Sequence, residues 1–481
     1  MPFFSTNVKP RLHGKMRHFA VGLGATLCVL LAGLPTRLHG QITEFSPYSR
    51  NGLGLLNPGT STGLLGQGGS AIASTHAGFV NTENPASIVG LVKTTFEVGG
   101  AGTLQQLKVG DESANGQFGN TSPVSLVIKR QGGHMAYNLG LAPFSTSGFA
   151  ATSTYTADGI GLVRETYDGT GGLSQLQLGA ARSFYRNAWQ SIGPTDSLQI
   201  RKQALYLGAR LRYVFGQIQR TTRLDILDPT FLDNRTQTTD QHRSAGLELG
   251  LQYELLLRSR YNAQQEFERS TSLRIGAIYA PEARLSTDHI RIVETTQTLG
   301  GIVTALDTAQ FQEQLQATGA IPGKYGVGLA LDRTEGNGSR LVISADYVLQ
   351  DWSTTAQEVD LLTESVAWGR YEAFRTGVAW TPSNPAQRKN AWGRTTYRVG
   401  AAQGTLGMDF EGVPLTYEAF TVGFSMPMVG SRSSSQFHFG TEIGTRYTGE
   451  GSLEENYIRL QFGFSLTPFL KNNWLVPRLY D

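Results

Sequence analysis

The feature that most constrains this chain is a two-residue alternation, recurring in segments of roughly ten residues from about Leu91 onward. In YIRLQFGFSL, Ile458, Leu460, Phe462, Phe464 and Leu466 fall on one face, and Arg459, Gln461, Gly463 and Ser465 on the other. SAGLELGLQYEL sets Ala245, Leu247, Leu249, Leu251, Tyr253 and Leu255 against Gly246, Glu248, Gly250, Gln252 and Glu254. QALYLGARLRYVFG sets Leu205, Leu207, Ala209, Leu211, Tyr213 and Phe215 against Gly208, Arg210 and Arg212. A soluble sandwich alternates too, but its second face carries the Thr, Ser and Lys of a solvated sheet. Here that face holds charges and glycines in mid-strand, which suits a lumen. Arg210 and Arg212 stand on the segment next to the one carrying Glu248 and Glu254, so inward ion pairs among these four are expected. Strands in lipid must close into a ring, because an open edge leaves backbone groups unpaired at several kcal/mol each.

These segments number about fourteen, near 91–107, 116–130, 132–144, 169–185, 202–220, 240–256, 270–282, 321–333, 339–352, 368–382, 394–406, 414–427, 434–448 and 454–468. With 58 glycines, 16% charged residues and almost no helical periodicity, the chain reads as all-β, a transmembrane antiparallel β-barrel of about 14 strands. Short turns such as KRQGG and DRTEGNGSR follow even-numbered strands and point to the periplasm. The longest connections, 145–168, 221–239 and 283–320, follow odd ones and are expected outside; the last holds TALDTAQFQEQLQATG, a candidate short helix. Trp352, Trp368, Trp380, Trp392 and Tyr397 lie near strand ends, as interface girdles do. No repeat of propeller or solenoid type is present.

The first 40 residues read as a signal peptide. Lys9, Arg11, Lys15 and Arg17 precede the apolar run FAVGLGATLCVLLAGL, and cleavage is expected after Gly40; Met16 is an alternative start. This segment takes Lys9, Arg11, Lys15, Arg17 and Arg37 with it. Of 41 Lys and Arg, 36 are then left, against 38 Asp and Glu. The basic balance thus belongs to the leader, and a nucleic-acid partner loses its support. Cys28, the one cysteine, lies in the leader, so the mature barrel has no thiol chemistry.

Enzyme chemistry finds no constellation. His76, His134, His242, His289 and His438 form no i, i+4 pair and no cluster with acidic residues, so no metal and no cofactor is expected. GLGLLNPG and GQGGSAIA lack the lysine and the βαβ setting of a phosphate loop, and no G-x-S-x-G elbow occurs. His76, near Phe79 and Asn84, admits two readings: a protonation-driven gate, or a histidine satisfying a backbone carbonyl.

A set of stretches in fixed order gives a resemblance: SPYSRNGLGLLNPG, TENPASIVG, GLAPFSTSGF, GGLSQLQLGAA, LGARLRYVFG, KYGVGLAL, ADYVLQDWS, TYRVGAA and the terminal ENYIRLQFGFSL with NNWLVPRLYD. Together they resemble the FadL-type outer-membrane transport family, and within it the PorV-like branch. That likeness implies a fourteen-stranded barrel whose N-terminal segment, 41–90, folds inside as a luminal hatch. The family's Asn-Pro-Ala motif matches Asn84, Pro85 and Ala86 here. An ordinary turn into the first strand is the plainer reading of the same residues. The barrel then spans 91–468, and 469–481, with Trp474, Arg478 and Tyr480, forms a C-terminal tail.

Two functions follow from this reading, both in the outer membrane of a Gram-negative cell and in its lipid bilayer. In one, hydrophobic small molecules such as long-chain fatty acids pass passively, touching Phe79 and Val80 of the hatch and Phe231, Leu232, Phe311 and Leu315 of the outer connections. In the other, which the PorV-like resemblance implies, the barrel is a docking platform for a secretion system or a surface protein complex.

Overall fold

The computed structural model describes residues 44–57, 59–191, 197–228, 230–262, 264, 266–299, 302–353, 366–383, 391–410, 412–428, 435–449 and 452–467. The expected signal peptide and the expected tail both lie outside the described residues.

Fourteen antiparallel strands close into one ring. They are β1 (Thr95–Val109), β2 (Glu112–Thr121 and Val124–Lys129), β3 (Met135–Ala157), β4 (Gly161–Ser191) and β5 (Ser197–Ile226). Next come β6 (Asp233–Tyr261), β7 (Phe267–Ala280 and Ala283–Leu299), β8 (Ile302–Ile321 and Lys324–Glu335) and β9 (Arg340–Asp351). The last are β10 (Val366–Thr381), β11 (Thr396–Phe410), β12 (Val413–Pro427), β13 (Gln436–Tyr447) and β14 (Glu454–Leu466). β14 pairs back onto β1, from Leu466↔Phe96 to Glu454↔Lys108, so the ring has no free edge at that seam.

The alternation divides the two faces. On β5, Leu207, Leu211, Tyr213 and Phe215 point outward and exposed, while Arg210 is buried within. The outer apolar band has a sharp upper border. Leu104, Ile458, Ile443, Phe420 and Ala401 are cross-strand neighbours in a single row, and two residues higher Gln106, Asn456, Thr445, Glu418 and Gln403 form the next outward row. That step from hydrocarbon to amide and hydroxyl marks where lipid ends.

Six strands ignore the border. β4 has 31 residues, β5 30 and β6 29, whereas β9 and β13 have 12 each. About 9–11 residues suffice to cross the hydrocarbon. The segments 145–168, 221–239 and 283–320, expected as connections, are therefore mostly upward extensions of β3 to β8, forming a fin above the rim. TALDTAQFQEQLQATG belongs to β8 and pairs with β7, so the expected short helix is a strand. The reason is physical. Over Ala150–Thr156 both sheet faces meet water, and on upper β7 the buried positions include the polar Thr287, His289 and Thr296, so the two-residue polarity contrast fades and only β propensity is left to signal a strand. The strands bend as they leave the membrane. Gly171, Gly172 and Gly216 take φ of +124°, +148° and +154°, and Pro281 and Pro322 interrupt β7 and β8.

The expected girdle divides as well. Trp380 and Trp392 are exposed, and Trp380 packs at 6.2 Å from Tyr397 near the lower rim. Trp352 and Trp368 instead stack on each other at 5.2 Å, with Trp352 wholly buried against Tyr48, Leu53 and Tyr371. These two turn inward because the segment inside the barrel offers them apolar cover.

Candidate functional site: the luminal segment and its seat

Residues 44–57 and 59–91 run inside the ring, and most are buried. Local structure is short: 3-10 turns at Pro47–Arg50 and Pro85–Gly90, a two-residue strand Leu55–Leu56, and one helical turn at Thr62–Leu65. With so few internal ladders, this backbone takes its partners from the wall. Asp346 of β9 accepts hydrogen bonds from Ala71 N and Ile72 N, the latter at 2.8 Å. Glu97 of β1 accepts from Val80 N at 2.7 Å. Gln252 of β6 donates to the Ile72 carbonyl at 2.7 Å. Arg220 of β5 donates to the carbonyls of Arg50 and Gly52 at 2.6 Å each. Those at Ala71, Ile72 and Val80 satisfy buried backbone groups that would otherwise cost about 1–3 kcal/mol each.

Asn84, Pro85 and Ala86 form one of these contacts. Proline disfavours helix for the residue before it, and Asn84 is extended at φ −115°, ψ 116°. Its side chain accepts from Ala86 N at 2.9 Å and donates to the Ile72 carbonyl at 2.8 Å, capping the 3-10 turn that Pro85 begins. The turn rests on the wall where Gly208 of β5 and Gly250 of β6 face each other. A β-carbon at Gly208 would stand 2.4 Å from Ala86 N, and one at Gly250 2.2 Å from Asn84 Oδ1.

That pair is one of five glycine couples that face the segment. Gly276↔Gly328, Gly377↔Gly400, Gly423↔Gly440 and Gly463↔Gly99 are likewise directly paired across neighbouring strands. Each meets the segment: a β-carbon at Gly276 would lie 2.2 Å from the Ile72 carbonyl oxygen, at Gly377 2.5 Å from that of Gln67, at Gly400 2.3 Å from Gly68 N, at Gly440 3.1 Å from Leu65, and at Gly463 2.7 Å from Thr62. Below 3.0 Å a real β-carbon does not fit, and at Gly440 the Leu65 side chain would have to give way. The inner wall is therefore a glycine seat shaped to this backbone.

Of the four residues expected as luminal ion pairs, three come together. Glu248 meets Arg210 at 2.9 Å and Arg212 at 3.4 Å, and Arg210 also donates to the Thr82 carbonyl at 2.7 Å. Glu254 is elsewhere: the register sets it opposite Ala204, and it pairs with Arg274 at 3.2 Å and Arg201 at 3.6 Å.

The residues named as ligand contacts are not gathered into one place. Phe79 and Val80 are 3% and 1% exposed and pack among other apolar groups, Phe79 with Leu64 and Ala71, Val80 with Ala86 and Ile88. Phe231 and Leu232 are exposed just before β6, and Phe311 on the upper part of β8. Leu315 lies on the same strand, and its side chain is outside the described residues. His76 stacks on Phe79 at 4.1 Å, and its Nε2 has no hydrogen-bond partner among the described residues. Burial, then the guanidinium groups of Arg398 and Arg340, hold its pKa well below the ordinary 6.5. Both effects favour the neutral ring.

One place in the wall is incomplete. β2 breaks at Ser122 and Pro123; its lower part pairs with β3 from Val124↔Leu141 to Lys129↔Ala136, while its upper part pairs only with β1 among the described residues. The luminal segment fills the break. Leu55 and Leu56 pair with Thr146 and Ser145 of β3, Asn57 N donates to the Phe144 carbonyl, and Ser46 N to that of Gly148. Phe45 lies against Gly116 of β2. Beside the segment a cavity of about 100 Å³ is left, lined by Arg375, Arg446, Arg459, Tyr371, Tyr417 and Tyr457 among others. It has room for a few water molecules. The stretch 116–130 was expected as one strand, so neither the break at Pro123 nor its filling by the luminal segment was foreseen.

A family model described as BamG matches residues 24–481. No curated protein matches the chain. Among solved structures, the Ralstonia pickettii toluene transporter TbuX aligns at 16% identity and a TM-score of 0.48, over 85% of this chain and 98% of that one. The Pseudomonas putida toluene transporter TodX aligns at 14% and 0.47, over 89% and 100%. A Pseudomonas aeruginosa FadL homologue aligns at 10% and 0.45, over 86% and 99%.

Proposed function

Because the chain belongs to the BamG family, and its break between β2 and β3 is closed, among the described residues, by its own N-terminal segment, we propose that it is an outer-membrane barrel for passive movement of hydrophobic small molecules, with that segment as the hatch. The wall break carries this reading. A ladder interrupted at the level of the lumen offers an apolar solute a sideways route into the bilayer, and Leu55, Phe45 and Phe144 border it. The ordered FadL-type stretches quoted above support the same reading.

A cavity of about 100 Å³ does not admit a fatty acyl chain, so passage requires the segment to shift. The driving force is differential affinity: a ligand that binds the shifted arrangement better raises its population. No covalent step is involved. The test is native mass spectrometry of the protein extracted gently from its own outer membrane. Adducts in the mass range of a fatty acid or other lipid support transport and identify the cargo class; a bare barrel that releases no such adduct and shows no uptake counts against it.

The tight glycine seat favours a second reading, in which the segment is a permanent seal and the barrel a docking platform. A co-purifying protein on a barrel free of small adducts would support that reading instead.

A further inference from the structure

The lower part of the β3 edge that faces the break is occupied by the chain itself, through Leu55, Leu56 and the Ser46 to Gly148 hydrogen bond. Above it β3 continues as Phe149–Ala157. On one side this stretch pairs with β4, from Phe149↔Gly169 to Ala157↔Gly161. On the other it has no ladder partner among the described residues. Ala150 to Thr156 are exposed on both faces, above the amide border of the lipid band.

Native sheets usually blunt a free edge with lysine, proline, a bulge or an inward charge, because an open row of N–H and C=O groups templates another strand. FAATSTYTA carries no charge, no proline and no glycine. The other long edge of the fin, upper β8, is interrupted in sequence by Asp307 and Glu313. One edge is guarded and the other is not.

We propose that the upper edge of β3 is a docking strand that accepts an extended, uncharged segment of a partner polypeptide by strand addition, just outside the membrane. The occupant follows from the chemistry of the edge. Alternating unpaired donors and acceptors at strand spacing are matched by another extended backbone, and the same edge already accepts one a few residues lower. A second copy of this chain fits poorly. Inserted in the same membrane, its β3 runs outward in the same direction, leaving only parallel pairing, and a parallel ladder bonds its two strands differently and so lacks the equivalence a two-fold dimer needs. The proposal stands whether or not the lumen conducts.

The test is amide hydrogen exchange on the full-length protein, once in native outer-membrane vesicles and once purified in detergent. Peptides covering 149–157 are expected to exchange at least tenfold more slowly in the vesicles. The double substitution Ala151→Lys with Ser153→Lys is expected to abolish that difference while the heat-dependent gel migration of the barrel is unchanged. Equal exchange in the two preparations overturns the proposal. So does protection that survives the lysine pair, which would be coverage by lipid. Thr154→Cys, in a chain whose one other cysteine is Cys28 of the leader, supplies the last control: a homodimer formed with a short thiol cross-linker in vesicles assigns the edge to a second copy and overturns the partner.

Discussion

Gly208 of β5 and Gly250 of β6 face each other in register, and the Asn84–Pro85–Ala86 turn lies across both. The contact is backbone and small side chain against bare α-carbon, so its fit depends on what is missing from the wall.

Gly250→Val should therefore unseat the turn. The new side chain would claim the space of Asn84 Oδ1, and overpacking of this kind costs about 1–3 kcal/mol. Limited proteolysis of the luminal segment should accelerate, and the melting point should fall. Gly102→Val is the control: nothing lies within 4 Å of its β-carbon position, and both readouts should stay at wild type.

Pro85→Gly should act on the hatch more than on the barrel. Losing the ring frees Asn84 and the first residue of the 3-10 turn, a loss of about 0.4–1 kcal/mol carried mainly by chain entropy. Uptake of a hydrophobic solute should change more than barrel stability does. Equal losses in both would count against a gating hatch.

Asp346→Ala removes the acceptor shared by Ala71 N and Ile72 N. Two buried donors are left to find other partners, at about 1–3 kcal/mol each. Exchange at these two amides should quicken by one to two orders of magnitude, while amides of the β14–β1 seam keep their rates. Asp346→Asn, which keeps one acceptor oxygen, should show an intermediate effect.

His76 predicts a pH dependence of stability, with no gating. Its folded pKa lies below the ordinary 6.5, so the unfolded chain takes up a proton that the folded one refuses. Its contribution is complete above about pH 6.5 and is lost as the pH falls below it. His76→Phe keeps the stacking surface toward Phe79 and has no proton to gain. Thermal unfolding compared between pH 7.5 and 5 should show the variant gaining on wild type as the pH drops. Solute uptake by wild type should be flat from pH 8 to 6.5.

The fourteen wall strands were legible because lipid on one side and a lumen on the other impose strict alternation. Gly208, Arg210 and Glu248 could be assigned inward from that pattern alone, and Arg210 with Glu248 follows from neighbouring strands. Glu254 could not be matched to Arg274, since register is a property of pairing and not of any one strand. The fin was illegible for the opposite reason, with water on both faces of Ala150–Thr156. Phe79 and Val80, proposed from apolarity in a hatch, are core residues of that hatch: apolar type does not say whether a side chain faces a solute or its own neighbours. The five glycine pairs could be seen only as inward glycines, not as couples.

The break in β2 bears on how the molecule is assembled. Leu91 ties the luminal segment to the foot of β1, and β1 pairs with the last strand to be synthesised, β14. The ring can thus be sealed only after every other strand exists, and the segment has a place in the wall it closes, as the neighbour of Ser145 and Thr146 on β3. The same chain therefore supplies both the first strand of the closing seam and the piece that fills the wall, so a fault in either end of the barrel strands the other.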